Sequence, residues 1–337
     1  ARPRPVHIEI PINVITAPAD HVKRKLGAVP SRPAPCPDAI SRAVQMLKSA
    51  QRPLVLLGGG TASASAEALR LVEALDAPTA YTVNAKGVLP KGHPLALGSN
   101  QSLVPVRELV LQSDVVLAIG TELGETDYDA VFDGNFRIDS QLIRIDIDAE
   151  QLNRNYPADI AILSDSRLAI QALLAGLGEG AAFNEDSPGC KLAAKVRKQL
   201  EALIPDAWHA QKRVLDVLQE TLPDMIFAGD STQIVYSGNH LFEANSPRTW
   251  FNSSTGYGTL GYGLPAAIGA KLAAPQRPVV SLIGDGGIQF TLPELASAVE
   301  ANAPVIVLLW NNSGYGEIKR YMPVSYTHLT LPTTPYV

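Results

Sequence analysis

Two residues in this chain have the types and spacing to do chemistry together. Asp285 stands in Gly284-Asp285-Gly286-Gly287, directly after the apolar run 279–283, and Asn312 stands in Asn311-Asn312-Ser313-Gly314, directly after a second apolar run, 305–310. A carboxylate and an amide oxygen are hard donors, and together they can hold a divalent cation against a diphosphate. A set of this kind leaves coordination positions to phosphate oxygens and water, which suits octahedral magnesium better than a closed zinc site. Glycines 284, 286 and 287 let backbone N–H groups approach a phosphate, and the start of a helix adds its positive end. Either motif alone reads equally well as a turn after a strand. Their pairing, each at the end of its own strand, carries the argument.

The positioning elements follow from the hydrophobic pattern. Runs 279–283, broken only by Ser281, and 305–310 are apolar, and 292–301 between them has helical spacing, so the segment predicts β-α-β in a buried parallel sheet. Asp285 and Asn312 then lie just past the carboxyl ends of parallel strands, the rim where open α/β sheets bind ligands. Upstream, the glycine-rich stretch 256–263 precedes a predicted helix at 264–274, and Asp230-Ser231-Thr232-Gln233 follows an apolar strand at 225–228.

Gly284-Asp285-Gly286 followed by Asn311-Asn312 resembles the thiamine-diphosphate motif of the acetolactate synthase and pyruvate decarboxylase superfamily, and the similarity extends over most of the chain. The resemblance implies that Asp285, the Asn312 side chain and the Gly314 carbonyl ligate magnesium, and that Gly284, Gly286 and Gly287 line the diphosphate. It also implies that Leu260 is the apolar wedge supporting the bent cofactor, that the Gly258 carbonyl accepts from the 4′-amino group, and that Gln233 lies on the diphosphate side. Family chemistry is the cleavage of 2-oxo acids next to the carbonyl, with thiamine diphosphate accepting the electron pair. The glutamate that activates the cofactor is expected on a pyrimidine-binding domain upstream of Ala1, so no catalytic residue is assigned here and the chain alone is expected to be inactive. Relatives place the active site between subunits, which implies a homodimer or homotetramer.

The expected architecture is α/β, with two doubly wound, mainly parallel-sheet domains and the remnant of a third. Residues 1–15 read as the last strand of a pyrimidine-binding domain, with the strand at 5–11, and 16–37 as a linker rich in Pro and Ala. Strands at 53–57, 78–83, 115–119 and 142–147, with helices at 64–75 and 104–112, predict a middle Rossmann-like domain over 38–178. A linker spans 179–200 and includes a charged helix; the diphosphate-binding domain spans 201–323. Residues 324–337 break from the pattern without periodicity and are set aside as a non-native tail.

Gly58-Gly59-Gly60 after the first of these strands invites a dinucleotide reading, yet the spacing is not Gly-x-Gly-x-x-Gly and no acid stands at a matching second strand end. The loop after strand 115–119 carries Glu122, Glu125, Asp127 and Asp129, where relatives that bind FAD place an arginine. Each carboxylate would repel a dinucleotide diphosphate by about 1 kcal/mol even when well solvated, so FAD is disfavoured. The acids favour a cationic group and resemble the corresponding loop of 5-guanidino-2-oxopentanoate decarboxylases, which makes them candidate substrate residues. His93 and His240 are given turn or surface roles, and Lys86, in a loop after a strand, is assigned no chemistry.

The 337 residues predict two or three domains, and 46% hydrophobic content is ample for their cores. A net charge of −5 gives no reason to invoke nucleic acid. No apolar run is long enough to cross a bilayer, and two cysteines without metal spacing suit a reduced, cytoplasmic protein. Three readings follow: a thiamine-diphosphate decarboxylase of a basic 2-oxo acid, an acetolactate synthase-like carboligase on the same cofactor, and a dinucleotide-binding oxidoreductase or non-catalytic module.

Overall fold

The computed structural model describes residues 6–19, 27–128, 136–178, 182–314, 316 and 318. Two parallel sheets organise them. The first contains β1 (Pro53–Leu57), β2 (Thr79–Tyr81), β3 (Val115–Ile119), β4 (Gln141–Asp146) and β5 (Ile160–Leu163) in the order β2-β1-β3-β4-β5. The second contains β6 (Ile226–Gly229), β7 (Trp250–Asn252), β8 (Val279–Gly284) and β9 (Ile306–Trp310) in the order β7-β6-β8-β9. Every pairing is parallel, so the α/β fold class expected from the hydrophobic runs is the one observed.

The alternation of side chains across the pleat, with a core on each face, explains why these strands are mostly apolar. In the first sheet Val55, Leu57, Leu117, Ile119 and Ile143 face one core, closed by the helices Pro37–Ser49, Ser65–Leu75 and Ser166–Leu177. Leu54, Leu56, Val116, Ala118 and Leu142 face the other, covered by Val104–Gln112 and Pro188–Glu201. The second sheet is built the same way. Phe227, Val280 and Leu282 pack on Leu215 of helix Asp206–Thr221 and on Ile234 and Val235 of helix Gln233–Leu241. Ile226, Ala228, Val279 and Ile283 face helix Gly263–Ala273.

Two expected segments differ. Residues 6–11 form no strand; a short helix, Ile12–Ile15, follows, and Val6, Ile8 and Ile10 are exposed. A strand is held by its ladder, and no described sheet edge runs beside this one. Residues 188–201, expected as the charged helix of a linker, do form a 14-residue helix, capped by the Ser187 side chain, but it packs into a core. Its buried stripe, Ala193, Val196 and Leu200, belongs to the core of the first sheet, so it is part of that layer. The tail at 324–337 lies outside the described residues.

The two sheets are tied by polar contacts. Lys86, with 2% of its surface exposed, donates from Nζ to the Phe242 carbonyl at 2.6 Å, and Lys91 Nζ reaches Gln219 Oε1 at 2.6 Å. His240 stacks on Trp208 and its Nδ1 lies 2.9 Å from Asn100 Oδ1. Burial, aided by the nearby Lys86, lowers its pKa to about 4. His240 is therefore an interface residue rather than a surface or turn residue, and the Lys86 loop meets the second sheet at the same join. Their hydrogen-bond partners, the Phe242 carbonyl and Asn100, lie on elements of the other sheet, which local spacing does not report.

Candidate functional site

The register of β8 on β9 pairs Gly284 with Trp310, so Asp285 and Asn312 leave neighbouring strand tips. β6 lies on the other side of β8, and its exit, Asp230 to Gln233, completes a row of three tips. Contact between them is close: a Cβ at Gly284 would meet Thr232 Oγ1 at 3.1 Å, and one at Gly287 would meet Asp230 Oδ2 at 2.9 Å. These glycines are required by what lies against them, and the space that they leave is a backbone-lined concavity.

Asp285 opens the short helix Asp285–Ile288 and is partly buried, whereas Asn312 is exposed. The loop after β9 is shaped by Asx-type bonds: Ser313 N donates to Asn311 Oδ1 at 2.8 Å and Gly314 N to Asn312 Oδ1 at 3.3 Å. Ser313 at φ 59° and Gly314 at φ 156° turn the chain so that Gly316 N donates to the Gly314 carbonyl at 3.0 Å. Gln233, at the start of helix Gln233–Leu241, meets this loop. A Cβ at Gly316 would lie 2.6 Å from Asn312 Nδ2 and 3.0 Å from Gln233 Nε2, so the fold gathers Gln233, Asn312 and the Gly314 turn in one place.

The segment 256–263 crosses the same rim. Gly258 has φ +65° and its N–H donates to the Ser253 carbonyl at 3.0 Å, and Ser253 is held in turn by Ser231 across 2.9 Å between hydroxyls. Leu260 is partly exposed, at 37%, although it is an aliphatic side chain beside a packed helix. Gly261 donates to Asp230 Oδ2 at 2.7 Å. Asp230 is fully buried; burial raises its pKa while bonds from the N–H groups of Ser231, Gly261 and Gly263 pull it down. Of the Asp230 to Gln233 loop, only Gln233 is expected from the sequence at the site. The available signal was an acid directly after a fully apolar strand, a position where burial is expected.

The acidic loop lies elsewhere. Glu122, Glu125 and Asp127 line a cavity of about 850 Å³ at the carboxyl ends of β1 and β3, the point where the first sheet reverses its winding, and neither Asp285 nor Asn312 contributes to it. Arg32, Arg154 and Arg248 share its wall with the acids. Burial raises the Asp127 pKa to about 6 against a weak bond from Val83 N–H. Helix Glu125–Tyr128 packs against the turn Ser253–Thr255, just ahead of the 256–263 segment. Asp129 lies outside the described residues.

Gly58 and Gly60, the second of which lines the cavity, have a structural use: Cβ atoms there would lie 2.1 Å from the Gly120 carbonyl oxygen and 2.8 Å from Gly120 Cα. Two glycine turns are packed backbone on backbone. Beside them Arg144, 1% exposed, donates to the carbonyls of Arg154, Tyr156, Thr121 and Glu122. A buried guanidinium thus braces the acidic loop, a residue that the sequence reading missed because its partners are main-chain groups.

Residues 40–173 match the family model "Thiamine pyrophosphate enzyme, central domain", and residues 230–335 match "Thiamine pyrophosphate enzyme, C-terminal TPP binding domain". The chain belongs to the thiamine pyrophosphate enzymes, with the first sheet in the central domain and the second in the TPP-binding domain. Among its relatives are the probable 2-ketoarginine decarboxylase AruI of Pseudomonas aeruginosa, 40% identical over 94% of this chain and 56% of the relative. A probable acetolactate synthase large subunit of Methanococcus aeolicus is 30% identical over 96% of this chain and 58% of the relative. Pyruvate oxidase of Lactiplantibacillus plantarum is 30% identical over 93% of this chain and 52% of the relative. The chain spans a little over half the length of these curated relatives.

Proposed function

We propose that this chain forms the cofactor-anchoring part of a thiamine-diphosphate- and magnesium-dependent 2-oxo acid decarboxylase acting on a basic substrate, converting 5-guanidino-2-oxopentanoate to 4-guanidinobutanal and carbon dioxide. The observation that carries the reading is the row of strand tips that brings Asp285, Asn312 and Gln233 around a glycine cradle. Among the described residues no three His, Cys, Asp or Glu side chains could hold a metal between them. A cation here would need the mixed oxygen set of Asp285, the Asn312 amide and the Gly314 carbonyl, which is the chemistry of magnesium on a diphosphate. The residues present fit the cofactor.

In this reading Gly284, Gly286 and Gly287 offer main-chain N–H groups to the diphosphate, and Gln233 orients its flank. Leu260 projects an apolar surface for the ring system, and the Gly258 carbonyl accepts from the aminopyrimidine. Thiamine diphosphate, when bound, supplies the carbanion and the electron sink for loss of carbon dioxide. No proton transfer is assigned to a residue of this chain. Glu122, Glu125 and Asp127 would favour the cationic end of a basic substrate. Support comes from the name of the 40% identical relative and from the packing of helix Glu125–Tyr128 on the turn that leads to Gly258 and Leu260.

The domain reading that goes with this places the central domain at 38–178 and the diphosphate domain at 201–323, in a protein that works as a homodimer or homotetramer without FAD. A carboligase is the second reading, favoured by the acetolactate synthase relatives. Assaying the full-length protein against 2-oxo acids that differ in side-chain charge separates the two. Release of one aldehyde per basic 2-oxo acid supports decarboxylation; consumption of a second 2-oxo acid, or copurifying FAD, supports carboligation.

A further inference from the structure

Gly261 is gripped from three sides. Its N–H donates to Asp230 Oδ2 at 2.7 Å, and its carbonyl accepts from Thr291 Oγ1 at 3.0 Å. Its φ of +83° is open to glycine, and a Cβ there would lie 2.8 Å from Phe290 Cβ and 3.1 Å from Thr291 Cγ2. The two side chains come from different strand exits. Asp230 directly follows β6, and Thr291 follows the helix that Asp285 opens. Between Asp285 and Thr291 the backbone is stiffened by consecutive bonds, Gln289 N to the Gly286 carbonyl, Phe290 N to that of Gly287 and Thr291 N to that of Ile288. Displacement of Thr291 is therefore passed back to the glycine turn, and displacement of Gly261 is passed to its neighbour Leu260.

We infer that Asp230 and Thr291 are positioning residues that clamp Gly261 between them and so lock the Leu260 segment in register with the Asp285 turn. The inference rests on the proposed cofactor site but adds two residues to it, neither of which touches the reacting atoms. A fully buried carboxylate is costly unless hydrogen-bonded, and Asp230 spends its oxygens on main-chain N–H groups of Ser231 and Gly261. Placed there, it draws on no donor of 285–287, leaving those N–H groups free to face a phosphate.

The test uses the full-length protein and the variants Thr291→Val, Thr291→Ser and Asp230→Asn. Affinity for thiamine diphosphate is read by calorimetric titration at saturating magnesium, and amide hydrogen exchange over 256–263 is read without cofactor. Thr291→Val should weaken binding about tenfold, the scale of one lost hydrogen bond with some misalignment, and speed exchange over 256–263 while the core strands stay protected. Thr291→Ser should restore both. Asp230→Asn sets an amide donor toward backbone donors and should have the larger effect on both. Unchanged affinity and exchange in Thr291→Val, or a loss that Thr291→Ser fails to rescue, overturns the clamp. If Asp230→Asn does not fold, the threonine pair decides. Failure of the unaltered protein to bind thiamine diphosphate sinks the proposed function instead, and the exchange data then still judge the clamp.

Discussion

The two sheets each end in glycine-rich turns at the carboxyl tips of parallel strands, yet the glycines do different work. After β1, Gly58 and Gly60 are small because the Gly120 backbone presses on them, and Gly60 lines a cavity walled by carboxylates and arginines. After β8, Gly284 and Gly287 are small because Thr232 and Asp230 side chains approach them, and the cradle lies beside two oxygen donors. A glycine run after a strand therefore reports close approach, and what approaches decides the chemistry.

This contrast can be broken by substitution. Gly58→Ala places a methyl group within 2.1 Å of a main-chain oxygen, with no flexible side chain to give way, and should destabilise the central domain by about 3 kcal/mol or more. Denaturant unfolding should show it, while the folded fraction keeps its affinity for thiamine diphosphate. Asp285→Ala should do the reverse. Loss of a charged donor should weaken magnesium-dependent cofactor binding about 100-fold, with a melting temperature close to that of the unaltered protein.

The join between the sheets sharpens the comparison through pH. Burial lowers Lys86 from 10.5 to about 7, so between those values the unfolded chain binds more protons than the folded one and stability contributed by this group rises with pH. It is fully present above about 10.5 and is lost as pH falls through about 7. Lys86→Met should flatten the rise in unfolding midpoint between pH 7 and 9; an unaltered slope would show that Lys86 is not its source. The smallest effect is expected in the first sheet's cavity. Glu125→Gln combined with Asp127→Asn should lower kcat/KM for a basic 2-oxo acid by about threefold relative to a neutral one, in keeping with partly solvated charges.

The parts of this fold that were legible are those with local causes. β1, β3 and helix Val104–Gln112 fall at the residues expected, and β8 and β9 differ by one residue, because each strand is a mostly apolar run bounded by Gly or polar residues, although in β9, at the sheet edge, Ile306 and Leu309 are exposed. β7 was not legible: three residues, Trp250 to Asn252, give no period. Helix Gln233–Leu241 was missed too, since it buries Ser237, Gly238 and Asn239, and Gly238 is there to admit the Trp250 ring. The candidate metal donors were legible because Asp285 directly follows β8 and Asn312 stands two residues past β9. Asp230 and Thr291 were not, because their partner Gly261 lies about thirty residues from each in sequence, and only the fold brings the three together.

Titration of the full-length protein with thiamine diphosphate, with magnesium and with magnesium removed, tests the central claim most directly. Saturable binding that requires the cation, and that Asp285→Ala and Asn312→Ala each weaken strongly, is the result predicted; binding indifferent to magnesium and to both substitutions would contradict the site.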